Sequence, residues 1–206
     1  MATVAQEITT VAPGIYLWQA FDPAVRTELF STALKRPDGL FVIDPIPVEA
    51  EALTELLAHG SVAAVAVTNE NHERSAADFA RQFEAPVYVQ AAIAHSIAVP
   101  DPIGVTPARG IGSGLTTIFL DGAPLGEMAI YCPDDNGTMV IGDALINSEP
   151  YGFSLLPAKY CRDLKAMRQS LRGLLDYEFE RILFAHGIPI MTKARSRLEQ
   201  LLNTVR

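Results

Sequence analysis

Only two cysteines, Cys132 and Cys161, occur in 206 residues, far apart and without Cys-x-x-Cys spacing. A disulfide framework and a thiolate zinc site are therefore not indicated, and the pair reads as two buried thiols. No window reaches the roughly 18 apolar residues that a spanning helix requires. The N-terminal stretch Met1 to Glu7 lacks the basic-then-apolar order of a signal peptide. The expectation is a cytoplasmic protein with no membrane partner. Positive charge is also scarce, with 16 Lys and Arg against 24 Asp and Glu and a formal net charge of -8. With no basic stripe to neutralise phosphates, a nucleic-acid partner is not expected, and the anionic surface serves solubility. Neither a serine nucleophile elbow nor a reactive-looking cysteine supports covalent catalysis.

What is present is apolar and regularly spaced. A hydrophobic content of 49% over 206 residues supports a substantial core, read here as one domain over residues 1–206. Gly14 to Trp18 and Glu28 to Leu34 are rich in β-forming residues and read as antiparallel strands around a break at Asp22-Pro23. Leu40 to Ile43 is a short continuous apolar run ended by Asp44-Pro45, which suits a strand buried on both faces. Val48 to His59 places Leu53, Leu56 and Leu57 at helical spacing, with Gly60 as the stop. Val62 to Val67 forms another buried strand and leads into the polar septet Thr68 to Arg74. Ala76, Phe79, Ala80 and Phe83 then mark one face of a helix from Ser75 to Phe83, and Pro86 to Val89 is the next strand. This alternation predicts βαβ units.

Pro100 to Gly114 reads as a surface connection. Its Gly110-Ile111-Gly112-Ser113-Gly114 is glycine-rich but has no following Lys and reads as a flexible linker, not a phosphate loop. Leu115 to Leu120, Glu127 to Cys132 and Thr138 to Ile141 read as strands, the last two joined through the hairpin signal Asn136-Gly137. A helix from about Lys159 to Leu175, a strand Arg181 to Phe184 and a helix from about Met191 complete the chain. Two mixed sheets face to face, with helices on both outer faces, accommodate this order: an α+β, four-layered αββα sandwich.

With those elements in place, five landmarks from Val11 to Ile190 resemble the metallo-β-lactamase superfamily. They are Asp44 after a buried strand, Thr68-Asn69-Glu70-Asn71-His72-Glu73-Arg74 in place of Thr-His-x-His-x-Asp-His, Gly122-Ala123-Pro124-Leu125-Gly126 in place of Gly-His-Thr-Pro-Gly, Gly142-Asp143, and Ala185-His186-Gly187. The resemblance implies two metal positions. One is held by the loop's first two His and the His of the third landmark. The other is held by the loop's Asp, its last His and the final His, and the fourth landmark's Asp bridges both. Carried over, the first position meets Asn69, Asn71 and Ala123, which cannot replace imidazoles. The second retains Glu73, Asp143 and His186, with Arg74 where the last loop His belongs. Arg74 is expected to pair with Asp143, Glu73 or both. His72 falls on a variable position and is expected at the surface. His59 and His95 read as ordinary surface or helix-end residues, and Tyr151, Phe153 and Tyr160 as core aromatics.

The candidate pocket residues are thus Asn69, Asn71, His72, Glu73, Arg74, Asp143 and His186. The reading placed first is a metal-free binding or regulatory protein with a polar cleft, no cofactor, and an unknown small molecule as ligand. The alternative is a hydrolase of an ester, thioester or amide using one zinc, iron or manganese ion held by Glu73, Asp143 and His186. A third, weaker reading has His186 and Asp143 as an acid-base dyad, with Arg74 binding an anionic substrate. Homo-oligomerisation is left open.

Overall fold

The computed structural model describes residues 4–107, 110–112 and 114–204. Seven strands form the first sheet in the order β1 to β7: β1 (Thr9–Ala12), β2 (Ile15–Asp22), β3 (Thr27–Arg36), β4 (Gly39–Ile43), β5 (Val62–Ala66), β6 (Val87–Gln90) and β7 (Ile103–Val105). The first four pair antiparallel, as tight turns permit, and β4 to β7 run parallel. The helices α1 (Ala50–Leu57) and α2 (Ala76–Phe83) make the crossovers from β4 to β5 and from β5 to β6.

The second sheet has the order β14-β11-β10-β9-β8, from β8 (Gly110–Ile111), β9 (Leu115–Phe119), β10 (Met128–Cys132), β11 (Thr138–Ile141) and β14 (Arg181–Phe184). β10 and β11 pair antiparallel across the turn in which Asn136 and Gly137 both adopt positive φ, as their hairpin signal requires. β11 and β14 are parallel, connected through α3 (Leu164–Gly173), and α4 (Ala194–Thr204) closes the chain. A hairpin of β12 (Leu145–Ser148) and β13 (Gly152–Leu155) stands apart from both sheets.

Alternation along the central strands builds three cores. Leu40, Val42, Val65 and Val67 pack with Leu56 and Phe79 of α1 and α2. Their neighbours Phe41, Ile43, Ala64 and Ala66 meet Met128, Ile130, Val140 and Leu183 between the sheets. Ala129, Met139, Ile141, Ile182 and Phe184 pack with Met167, Leu171, Leu198 and Leu202 of α3 and α4. A strand buried on both faces has no polar side to show, which is why these segments read as unbroken apolar runs. Helix, sheet, sheet and helix are therefore the four layers expected from the sequence.

Three local expectations change. The connection Pro100 to Gly114 carries the short strands β7 and β8, whose Val105 and Ile111 lie fully buried between the sheets; Ser113 lies outside the described residues. The helix expected from Lys159 starts at Leu164, because the Asp163 side chain accepts the Ala166 N–H and so caps it there. Tyr151 and Tyr160 are exposed, not core residues, whereas Phe153 is half-buried and leans on Phe184 with ring centroids 5.8 Å apart.

Candidate functional site

Asp44, Thr68, Asp143 and His186 all follow the carboxyl ends of strands, and the parallel part of each sheet brings those ends to one edge. Ligand sites of open α/β sheets favour this edge, since loops there are free of ladder bonds. β3 contributes through its main chain. Its pairing with β4 stops at Thr32↔Ile43, so the preceding residues have unpaired amides and carbonyls on that side. The Phe30 N–H donates to the Ala185 carbonyl (2.9 Å), Arg74 Nη1 donates to the Phe30 carbonyl (2.8 Å), and His186 Nδ1 lies 3.2 Å from the Glu28 carbonyl.

Three side chains converge. Asp143 Oδ1 stands 3.2 Å from His72 Nε2 and 3.2 Å from His186 Nε2, and the two ring nitrogens are 3.3 Å apart. Each imidazole is oriented from behind. A carbonyl only accepts, so the Glu28 oxygen places the proton of His186 on Nδ1 and turns the Nε2 lone pair toward Asp143. His72 Nδ1 lies 2.9 Å from Asp44 Oδ2, whose carboxylate is itself held by the Thr68 N–H (2.8 Å) and hydroxyl (2.6 Å). Asp44 and His72 are each 2% exposed, so this bracing is internal to the protein.

The charges are strongly coupled. Burial pulls the His72 pKa down, but the Asp143 and Asp44 carboxylates outweigh it and push the ring up to about 9. Burial opposes ionisation of Asp143 and Asp44 as well, yet facing His72 holds both below the usual carboxylate range. Arg74 is partly buried beside them, and the loss of water around it lowers its pKa against the favourable fields of Asp44 and Asp143.

The other side of Asp143 is built differently. Asn69 Nδ2 donates to Asp143 Oδ2 (3.1 Å) and to Glu127 Oε2 (2.6 Å), and the Ala144 N–H donates to Glu127 Oε1 (3.1 Å). Glu127 is 1% exposed, and burial with the nearby Asp143 charge pushes its pKa up to about 8. Gly142 makes this packing feasible: a Cβ there would come within 2.5 Å of Thr68 Oγ1 and 2.9 Å of both Glu127 carboxyl oxygens.

Several sequence expectations are corrected by this geometry. His72 is not at the surface; it is the centre of the cluster. Glu73 is turned away, its Oε2 accepting the Ala98 N–H at 2.9 Å, so the set Glu73, Asp143 and His186 is replaced by His72, Asp143 and His186. Arg74 forms no ion pair with Asp143 or Glu73 among the described residues. Its Nη1 donates instead to the main-chain carbonyls of Phe30 and Asp44, and a guanidinium so committed is poorly placed to bind an anionic substrate. Asn69 lies in the cluster, while Asn71 is exposed and gives only its N–H to Asn69 Oδ1. His72 thus meets Asp143 and His186, the two residues that the resemblance groups with the last loop His. His59 is half-buried, stacked 4.3 Å from the Tyr16 ring, and His95 is exposed. Glu127 and the bracing role of Asp44 were missed. A lone carboxylate heading an otherwise apolar buried strand was the available signal for Glu127.

The donor set fits one divalent ion. Bonds of about 2.0 to 2.2 Å in tetrahedral geometry place ligand atoms roughly 3.3 Å apart, the spacing of these two nitrogens and one oxygen. Two imidazoles and a carboxylate, each imidazole braced by a hydrogen bond to its far nitrogen, is a recurrent ligand chemistry for such ions. The position next to Asn69 does not fit a second ion, because its polar groups already satisfy one another.

The comparisons agree with the fold. A family profile described as "Metallo-beta-lactamase superfamily" matches residues 9–205. Among solved structures, DIM-1 metallo-beta-lactamase is similar at a TM-score of 0.75 and 11% identity, with 100% of each chain covered. A metallo-beta-lactamase from Pontibacter korlensis reaches 0.73 at 15% identity, covering 96% of this chain and 98% of that one. A metallo-beta-lactamase family protein from Thermus thermophilus reaches 0.69 at 17%, covering 95% and 80%. No curated protein matches the sequence. With four layers in place, the strand-end cluster at their edge and a profile match over nearly the whole length, the chain belongs to the metallo-beta-lactamase superfamily.

Proposed function

We propose that the protein is a single-metal hydrolase of an ester, thioester or amide, with one zinc, iron or manganese ion held by His72, Asp143 and His186. The observation that carries this reading is the triangle of donor atoms with sides of 3.2, 3.2 and 3.3 Å. When bound, such an ion lowers the pKa of water toward about 7 and polarises a carbonyl. The chain's own residues supply the rest. Asp44 and the Glu28 carbonyl hold the rings in the tautomer that ligation needs, and Arg74 offsets part of the carboxylate charge. The Asn69–Glu127 pair fills the neighbouring space with hydrogen bonds. In the net reaction, water oxygen bonds to the acyl carbon, the acyl–O, acyl–S or acyl–N bond breaks, and the leaving group takes a proton from water.

One observation favours the metal-free reading. His72 touches carboxylates through both ring nitrogens, at 2.9 Å to Asp44 and 3.2 Å to Asp143, so as an imidazolium it would neutralise the cluster without an ion. In that reading the protein binds a ligand and does not hydrolyse it. Proton and ion compete for the same lone pair, and the ligand spacing is our reason for ranking the ion first. Elemental mass spectrometry on protein purified without chelator decides between them. One equivalent of ion that is absent from His72→Ala supports the hydrolase. Less than about a tenth of an equivalent after loading with zinc, iron and manganese in turn would sink it.

A further inference from the structure

Charge is unevenly divided along the chain. Residues 159–206 hold ten of the 16 Lys and Arg and five of the 24 Asp and Glu, whereas residues 37–73 hold no Lys or Arg. The fold turns this division into two opposed surfaces. α3 packs on the second sheet through Met167 and Leu171, and α1 packs on the first through Leu56, so the two helices lie in opposite outer layers.

Outward, α3 shows Lys165, Arg168 and Arg172 at spacings of three and four, which is one stripe of a helix, and the helix contains no acidic residue. With Leu164 and Gln169 they line a surface groove of about 360 Å³. Arg172 is anchored, its guanidinium donating to the Leu202 carbonyl (2.8 Å) and to Asn203 Oδ1 (3.3 Å). Lys165 and Arg168 have no hydrogen-bond or ion-pair partner among the described residues. α1 is the converse. Glu51 and Glu55 are exposed one turn apart, Glu49 precedes them, no Lys or Arg is in the helix, and none of the three glutamates is in an ion pair among the described residues. Like charges one turn apart repel, so each face is strained alone and relieved by its opposite.

We infer that the basic face of α3 docks the acidic face of α1 on a second copy of this chain. The complementary surface is in the chain itself and at the matching spacing: Arg168 and Arg172 are four residues apart, as are Glu51 and Glu55. Two helices laid side by side can therefore form two cation–carboxylate pairs at once, and contacts between like faces are repelled. Because the faces lie on opposite sides of the sandwich, each contact leaves an α3 free at one end and an α1 free at the other, so copies add end to end. None of the strand-end residues takes part, and the contact is independent of the hydrolase reading. Screening acts over about 10 Å at 0.1 M salt and about 30 Å at 0.01 M, which confines the association to low ionic strength.

Sedimentation velocity over a concentration series tests this. At about 10 mM salt the sedimentation coefficient should rise with protein concentration, and at about 500 mM salt the association should be at least about tenfold weaker. Two variants remove one face each: Lys165→Gln with Arg168→Gln, and Glu51→Gln with Glu55→Gln. Each should self-associate about five- to tenfold more weakly than the parent, since an exposed ion pair is worth up to about fivefold. Melting temperature and ion content should not move in either. Mixed in equal amounts, the first still offers its acidic α1 and the second its basic α3, so together they should form a 1:1 complex and nothing larger. A monomer under all conditions, association that salt or the substitutions leave unchanged, or no complex from the mixture would overturn the inference. Binding of a polyglutamate peptide by a parent that stays monomeric would also overturn it and would make an acidic peptide the partner.

Discussion

On one side of Asp143, His72 and His186 each bring a ring nitrogen within 3.2 Å of Oδ1; on the other, Asn69 brings an amide to 3.1 Å from Oδ2 and passes on to Glu127. Both sides are polar, and only His186 among these residues is partly exposed, yet the sides differ in what their lone pairs do. The histidines are braced from behind, so their front nitrogens point at a shared space. The amide and the carboxyl group spend their hydrogen-bonding capacity on each other. Whether a polar cluster can take a ligand thus depends on where its hydrogen-bonding needs are met, and counting donors does not reveal that.

The sharpest way to break the contrast is His72→Ala. Two carboxylates would lose their buried cation, at a cost of about 3 to 5 kcal/mol, and ion affinity should fall more than about 100-fold. Chemical denaturation and metal titration measure the two effects. Asp44→Asn removes only the brace, so ion affinity should fall about 10- to 100-fold while stoichiometry at saturating ion stays at one.

Proton linkage probes the other side. Glu127 is raised from 4.5 to about 8, so its contribution is fully present below pH 4.5 and is lost as pH rises through 8. Glu127→Gln cannot ionise and should be more stable than the parent above pH 8, by on the order of a few kcal/mol, without changing ion stoichiometry. In chelator-treated protein, the His72 contribution is complete below pH 6.5 and is lost through about 9, whereas those of Asp44 and Asp143 are present above 3.8 and disappear at lower pH. The melting temperature should therefore peak in the mildly acid range and fall on both sides. Ion binding should lift the alkaline limb, and a flat profile would contradict the coupling described here. The smallest effect belongs to Glu73→Gln. Its carboxylate caps only the Ala98 N–H, so stability should move by less than about 0.5 kcal/mol and ion content not at all.

The layers were legible because strands such as Leu40 to Ile43 and Val62 to Val67 are buried on both sides, and burial of that kind leaves an unmistakable apolar run. β12 and β13 were not legible: all but Leu145 are partly exposed, so neither alternation nor an apolar run marks them. Asp143, His186 and Asn69, which the structure brings together, were singled out because they follow strands at positions that match the family's landmarks. His72 and Glu73 were misassigned because a motif counted from Thr68 assumes one path through the loop. Here the Asn71 N–H folds back on Asn69 Oδ1 and Arg74 adopts φ 42°, a turn that carries residue 72 inward and residue 73 out. Nothing in the residue types alone records that turn.

The grip of β3 on His186 has a further implication. It is made by a peptide oxygen, so exchanging the side chain at position 28 leaves the bond intact, and at position 30 only proline would erase the neighbouring amide contact with Ala185. Those same side chains line a surface groove of about 470 Å³. The strand therefore separates two kinds of change: its side chains can drift residue by residue, while the backbone keeps the imidazole of His186 aimed.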